Sequence, residues 1–187
     1  MTPSRPWSPL SDAEWSALSP HLRLIGPGRP IPDLRLRIDA LFRIAAGNTR
    51  WSHASTDLCR TATLARHFRR LAHAGLWTRL LRRIASPDCP RALTAIADWI
   101  CAAHRRAARV IGLKAIVLAR RLGLNKALPG PPWFLPDPDL SATVMRYIFA
   151  LYRTPNGPDF ARLTRAADWL MRAAAGRRRI PRSLIPV

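Results

Sequence analysis

The sequence predicts an all-α protein built from two helical units. Apolar side chains recur every three to four residues along most of the chain, which is the spacing of one helix face, and no run alternates as a strand would. Prolines gather at the ends of these segments: none occurs between Asp33 and Ser86 or between Arg91 and Leu128, and five occur from Pro129 to Pro138. The segments between prolines are therefore expected to be helices.

The first helix is expected to begin at "LSDAEW". Ser11 is placed to cap the helix, and Glu14 can reach back to the Ser11 backbone and complete a capping box. Leu10 and Trp15 stand where a hydrophobic staple would form. A second helix follows the loop "GPGRPIP", with Asp33 as its cap and Gly47-Asn48 as its end.

A strongly basic helix follows. The stretch "RTATLARHFRRLAHAGLWTRLLRR", Arg60 to Arg83, holds seven arginines and two histidines and has no carboxylate. An apolar stripe is opposed by a polar and basic face, and Gly75 is placed to end the helix. The stripe consists of Leu64, Phe68 and Leu71; the opposite face holds Ala62, Thr63, Arg66, Arg69, Arg70 and His73. This face is either a solvated surface or a surface that meets phosphates and base edges.

The order of these pieces favours the second interpretation. Residues 10–85 give a helix, a loop that carries Arg29, a helix, a short element around Trp51, the basic helix and a further helix that contains Trp77. A small helical unit followed by a tight connection and a basic helix is the pattern of a helix-turn-helix domain, whose last helix enters the major groove.

The same pieces resemble a known family. "LSDAEWSALSPHL", "GRP", "RIDALFRIAAGNTRW" and "TLARHFRRLAHAGLWTRLLRRI" together look like the N-terminal domain of IS5-type insertion-element transposases, over residues 9–85. The resemblance implies a helix-turn-helix domain that binds double-stranded DNA at transposon ends. Two departures are "SHAS" after Trp51, where the family usually has an acidic residue, Leu and Pro, and "LCR", where it has a "GPW"-like element.

Under this interpretation the DNA-binding residues have distinct roles. Arg29 would hold a phosphate or reach a minor groove from its loop. The side chains expected to face the major groove are Thr63, Arg66 and Arg70. Those expected to lie toward phosphates are Arg69 and His73.

In the family that this chain resembles, a domain after the helix-turn-helix cuts DNA with a catalytic triad of two Asp and one Glu. Such a triad holds divalent ions, which prefer oxygen ligands. This chain has a single glutamate, Glu14, which the capping box explains. Asp137 and Asp139 flank Pro138 and could hold a metal ion, but capping is the better account of Asp139. We therefore expect no enzyme activity, no metal site and no cofactor.

The second half is expected to be helical over roughly 90–123, 139–153 and 159–175. The prolines of "SPDCP" make one helix through this point unfavourable. The predicted domains are therefore 1–86, which should fold alone, and 87–187. The arginines after Trp99 are expected to form the basic outer face of a core helix or, alternatively, to rest on a membrane or an acidic partner.

Overall charge points to polyanionic partners. The net charge is +20, which favours nucleic acid first and anionic membrane second. The three unpaired cysteines and the absence of an apolar spanning run predict a cytoplasmic protein without a transmembrane segment. Two alternatives stay open: a basic helical protein that binds an acidic protein or a membrane surface, and a degenerate transposase fragment. A homodimer is a possible assembly under the DNA-binding interpretation.

Overall fold

The computed structural model describes residues 5–22, 31, 33–53, 60–153, 155 and 157–175. Nine α-helices and three short 3-10 helices lie in these ranges, without a strand, so the predicted all-α class is confirmed. No helix in the described ranges is long and apolar enough to cross a bilayer. The α-helices are α1 (Asp12–Leu22), α2 (Leu34–Ala46), α3 (Thr61–His73), α4 (Leu76–Ala85), α5 (Arg91–Ala95), α6 (Ala97–Ile111), α7 (Leu113–Arg121), α8 (Pro138–Arg153) and α9 (Phe160–Ala174).

The chain divides into two compact units, Met1–Pro129 and Gly130–Val187. The division predicted after residue 86 falls inside the first unit. The "SPDCP" break does separate α4 from α5, as its prolines require. However, α6 packs against α2, α3 and α4, so a break in the helix is not a break in the core. Whether residues 1–86 fold alone stays a prediction.

The core of the first unit contains a group of aromatic rings that come from four helices. Trp77 stacks on Phe68 at a centroid distance of 5.1 Å and meets Phe42 edge-on at 6.0 Å. Phe42 in turn lies 6.2 Å from Trp99 of α6. Trp77 and Trp99 are both fully buried. Because large aromatic rings contribute much of the apolar area that a core buries, α6 is as much a part of this core as α3.

The start of α1 is fixed by the predicted capping box. The Ser11 backbone N–H donates to the Glu14 carboxylate at 2.8 Å, and the Glu14 N–H donates to the Ser11 hydroxyl at 3.3 Å. Arg5 forms an ion pair with the same carboxylate, and its backbone carbonyl accepts a hydrogen bond from Trp99 Nε1 at 3.2 Å. The capping box is thus confirmed. Arg5, which contacts both Glu14 and Trp99, ties the N-terminal segment to α6.

The predicted helix ends are mostly confirmed. Gly75 has a φ of 72° between α3 and α4, in the left-handed region that favours glycine. At the end of α2 the left-handed residue is Asn48, with a φ of 49°, whereas Gly47 keeps helical angles. Asp33 stands at the N-cap of α2, but its side chain makes no capping hydrogen bond. Its own φ of 55° replaces the extended backbone that a capping side chain normally needs.

The second unit contains the pair of helices α8 and α9, which pack against each other. Its helical ranges agree with the prediction, but the cap of α8 is Asp137 and not Asp139. The Asp137 carboxylate accepts the N–H groups of Asp139 and Leu140 at 2.9 and 3.1 Å. Asp139 lies inside the first turn of α8, where its own N–H needs a partner.

Candidate nucleic-acid interface

The face of α3 opposite its apolar stripe is exposed. Leu64, Phe68 and Leu71 are buried, as the spacing predicts. The predicted DNA-contacting residues of this helix are all exposed together on the other side: Thr63, Arg66, Arg69, Arg70 and His73. Arg29, the remaining predicted residue, lies outside the described residues. The structure therefore groups five of the six candidates on one helix face.

The positive charge of this face is not neutralised within the described part of the chain. Four described acidic side chains of the first unit, Asp12, Glu14, Asp88 and Asp98, pair with arginine or lysine side chains outside this face, for example Asp12 with Arg35 at 2.6 Å and Asp98 with Lys126 at 2.7 Å. Asp39 is buried and accepts the Leu10 N–H at 2.9 Å. Arg66, Arg69 and Arg70 make no ion pair among the described residues. Such a surface attracts a polyanion.

A buried histidine, His67, lies on the inner side of the same helix. Burial, together with the smaller effect of the Arg70 and Arg37 charges, lowers the pKa of His67 to about 4. The imidazole is therefore neutral at physiological pH. The positive charge of α3 comes from its arginines, because His67 contributes none.

The connection between α2 and α3 is held by an arginine from α6. The Arg106 guanidinium donates to the Thr49 carbonyl at 2.7 Å and to the Ile44 carbonyl at 3.4 Å. It also lies 4.4 Å from the centroid of the Trp51 ring, within the range of a cation–π interaction. Trp51 in turn contacts Phe68, at a centroid distance of 5.6 Å. Arg106 thus links α6 to the α2–α3 connection and, through Trp51, to Phe68 of α3.

This connection is longer than the turn of a simple helix-turn-helix. Residues 47–60 separate α2 from α3 and include a 3-10 helix, Trp51–His53, while residues 54–59 lie outside the described residues. The motif usually joins its helices through about 3–4 residues. The departures after Trp51 noted in the sequence fall in this connection. The helix that follows, α3, nevertheless presents its basic face outward.

A cleft of about 660 Å³ lies where this connection, α3 and α6 meet. Three exposed arginines line it: Arg50 from the connection, Arg69 from α3 and Arg109 from α6. Trp51 and Phe68 also contribute to its wall, and none of the described residues that line it is a carboxylate. Sequence reasoning missed Arg50 and Arg109. The available signal is "HRRAAR", but the sequence alone assigns these arginines to the basic outer face of a core helix or to contact with a membrane or an acidic partner.

The described residues hold no group of three or more His, Cys, Asp or Glu side chains that could bind a metal ion. Glu14 is engaged by Ser11 and Arg5. These hydrogen bonds and the Arg5 charge lower the pKa of Glu14 although burial alone would raise it. The carboxylate is thus ionised and used within the fold.

Comparison with known proteins identifies one family. The model of the family DUF4096, described as "Putative transposase of IS4/5 family", matches residues 10–81. Neither the curated proteins nor the solved structures give a match. The matched segment runs from Leu10 into α4 and includes the whole of α3, whereas α6 follows it. The predicted resemblance is confirmed: residues 10–81 match the model of a putative IS4/5 transposase family.

Proposed function

We propose that this chain is a transposase-related protein that binds double-stranded DNA through α3. The observation that carries the proposal is the exposed and unpaired arginine face of this helix, inside the family-matched segment. The apolar stripe fixes the helix on the core, so the basic face is held outward in one orientation. A rigid helix of this kind fits the major groove, which is about 12 Å wide.

The proposed roles divide the face into two sets. Thr63, Arg66 and Arg70 reach base edges, where a bidentate arginine recognises guanine. Arg69 and His73 lie toward phosphates and fix the position of the helix on the duplex. Arg29, which precedes α2 in the sequence and lies outside the described residues, adds a phosphate or minor-groove contact. The buried Phe68 and Leu71 contribute to the positioning of the face but do not touch DNA.

The test begins with selection of bound duplexes from a random pool at fixed salt concentration, followed by affinity measurements on the selected sequence. Replacing Arg66 and Arg70 with alanine should weaken binding and reduce discrimination, since each bidentate base contact contributes about 1–3 kcal/mol. Arg69→Ala should instead flatten the dependence of log K on log salt by about 0.9, the value of one phosphate contact.

The matched control removes two exposed arginines elsewhere on the first unit, Arg91 and Arg121. This double alanine variant loses the same charge as the Arg66/Arg70 variant but leaves α3 intact. If the two double variants bind the selected duplex equally well, α3 is not the contact surface. A selection that yields no motif would remove the base-reading roles and leave only a basic surface.

We further propose that this chain binds DNA without cutting it. Support comes from the single glutamate, which is used in the capping box, and from the use of Asp137 as a helix cap. Incubation of the selected duplex with magnesium or manganese should leave both strands intact. Metal-dependent cleavage that disappears when Asp137 and Asp139 are both replaced with alanine would show the opposite.

A further inference from the structure

The arginine cleft between the α2–α3 connection and α6 has no assigned role. Its three exposed arginines, Arg50, Arg69 and Arg109, come from three separate elements and line one cavity. Arginines that repel one another in this way are usually offset by carboxylates. No described carboxylate lines this cleft, and none of the three arginines forms an ion pair with a described residue.

The wall of the cleft holds further positive charge. Arg106 also lines it, but its guanidinium is committed to the Thr49 and Ile44 carbonyls. Burial, followed by the charge of Arg109, lowers the pKa of Arg106. The guanidinium keeps its charge, because a lowered arginine pKa still lies far above neutral pH. The positive potential of the cleft is therefore a property of the fold, and an anion seated there would relieve it.

The cleft is continuous with the proposed DNA-binding face through Arg69. This side chain belongs to the exposed face of α3 and also lines the cleft. Asn48, Arg106 and Arg109 line both this cleft and a second pocket of about 230 Å³, which Arg105 also lines. A backbone running along α3 would therefore meet the arginines of α6 next.

We propose that the arginine cleft holds a phosphodiester group of the DNA backbone beside the α3 contact, and that α6 is thereby part of the DNA interface. The proposal rests on the proposed function of α3 and extends it beyond the family-matched residues 10–81. Arg50, Arg69 and Arg109 bind the phosphate oxygens; guanidinium groups do this well because their planar donors match the oxygens. Arg106 is a positioning residue that fixes the wall of the cleft.

The test uses three double alanine variants of the full chain, at Arg50/Arg109, Arg66/Arg70 and the control pair Arg91/Arg121. All six side chains are exposed, so each variant should keep the melting temperature of the parent. The Arg50/Arg109 variant should bind the selected duplex roughly fifty-fold more weakly than the parent at 0.1 M salt. Its salt slope should fall by about 1.8, the value of two lost phosphate contacts.

Neutral phosphates make the test specific to the cleft. A methylphosphonate is placed at each position of the selected duplex in turn, which removes one backbone charge. At the phosphate that occupies the cleft, this change should weaken the parent but should not weaken the Arg50/Arg109 variant further. Equal penalties in both proteins at every position would overturn the proposal, because no single phosphate would then depend on these arginines.

The outcomes separate the two proposals. If Arg66/Arg70 loses affinity and Arg50/Arg109 matches the control pair, the cleft proposal fails and the proposed function stands. If both match the control pair, both fail. If Arg50/Arg109 alone loses affinity and shows the methylphosphonate effect, a phosphate occupies the cleft, and the base-reading role of Arg66 and Arg70 is overturned.

Discussion

Helices α3 and α6 are made of the same kinds of residue, yet they use their arginines differently. Each buries an apolar stripe, a histidine and part of the aromatic core. The arginines of α3 point outward without an ion pair among the described residues. In α6, Arg105 and Arg106 donate to backbone carbonyls, at Lys126 and Thr49, and Arg109 remains exposed.

The difference shows what a helical wheel can and cannot predict. The spacing of apolar residues identifies the buried face of each helix, because residues on one face recur with the period of the helix. It does not identify the partner of an arginine on the opposite face, because that partner comes from an element distant in sequence. Thr49 and Lys126 are such partners. An arginine-rich face is a binding surface only where no such partner takes up its donors.

The largest expected effect concerns the shared core. Phe68→Ala in α3 and Trp99→Ala in α6 should each lower the free energy of unfolding by about 3–5 kcal/mol, because both side chains are buried among other rings. Urea denaturation of the first unit within the full chain measures this loss.

If Phe68→Ala in α3 destabilises the protein and Trp99→Ala in α6 does not, then α6 is peripheral to the core, and the two helices do not share it. A fragment of residues 1–86 sharpens the same point, because it lacks Trp99 and the rest of α6. The shared core leads us to expect that this fragment does not unfold cooperatively. Cooperative unfolding with retained DNA affinity would support the domain boundary predicted from the sequence.

A smaller effect concerns the two buried histidines, His67 in α3 and His104 in α6. Burial lowers the pKa of each to about 4, whereas the unfolded chain takes up these protons near pH 6.5. Below pH 6.5 the unfolded state therefore binds more protons than the folded state, and stability falls between pH 6.5 and 4. At about 1.4 kcal/mol per pKa unit, each histidine accounts for up to about 3 kcal/mol.

The check is the free energy of unfolding as a function of pH for the parent, His67→Gln and His104→Gln. Each variant should show a shallower decline over this window, whatever its stability at pH 7. Asp39 acts in the opposite direction, because burial raises its pKa, and it is unchanged in all three proteins. An unaltered pH slope in either variant would mean that the replaced histidine is protonated in the folded state.

Much of the fold followed from the sequence, and the candidate site followed in part. The capping box at Ser11 and Glu14 and the left-handed Gly75 were predictable, because each depends on residues within one turn. The sequence predicts Asp139 as the cap of α8, whereas Asp137 is the cap, because the helix begins one residue earlier than the pattern predicts and places Asp139 inside its first turn. The arginine cleft depends on α6 approaching the α2–α3 connection, and no local pattern encodes that contact.

The smallest expected effect separates a structural arginine from a free one. Arg106→Met keeps the aliphatic stem but removes the hydrogen bonds to Thr49 and Ile44 and the contact with Trp51. We expect a loss of about 1–2 kcal/mol, the usual net value of such bonds together with a partly buried cation–π contact. Arg66→Met in α3 removes no hydrogen bond or ion pair with a described residue and should change stability by less than about 0.5 kcal/mol. Thermal denaturation at low and high salt measures both.

Because the chain carries a net charge of +20, loss of Arg66 can even stabilise the fold at low salt, and this gain should vanish as salt screens the repulsion. Equal destabilisation by the two substitutions would mean that α3, like α6, uses its arginines to hold the fold, and it would leave the outward face of α3 without its distinguishing feature.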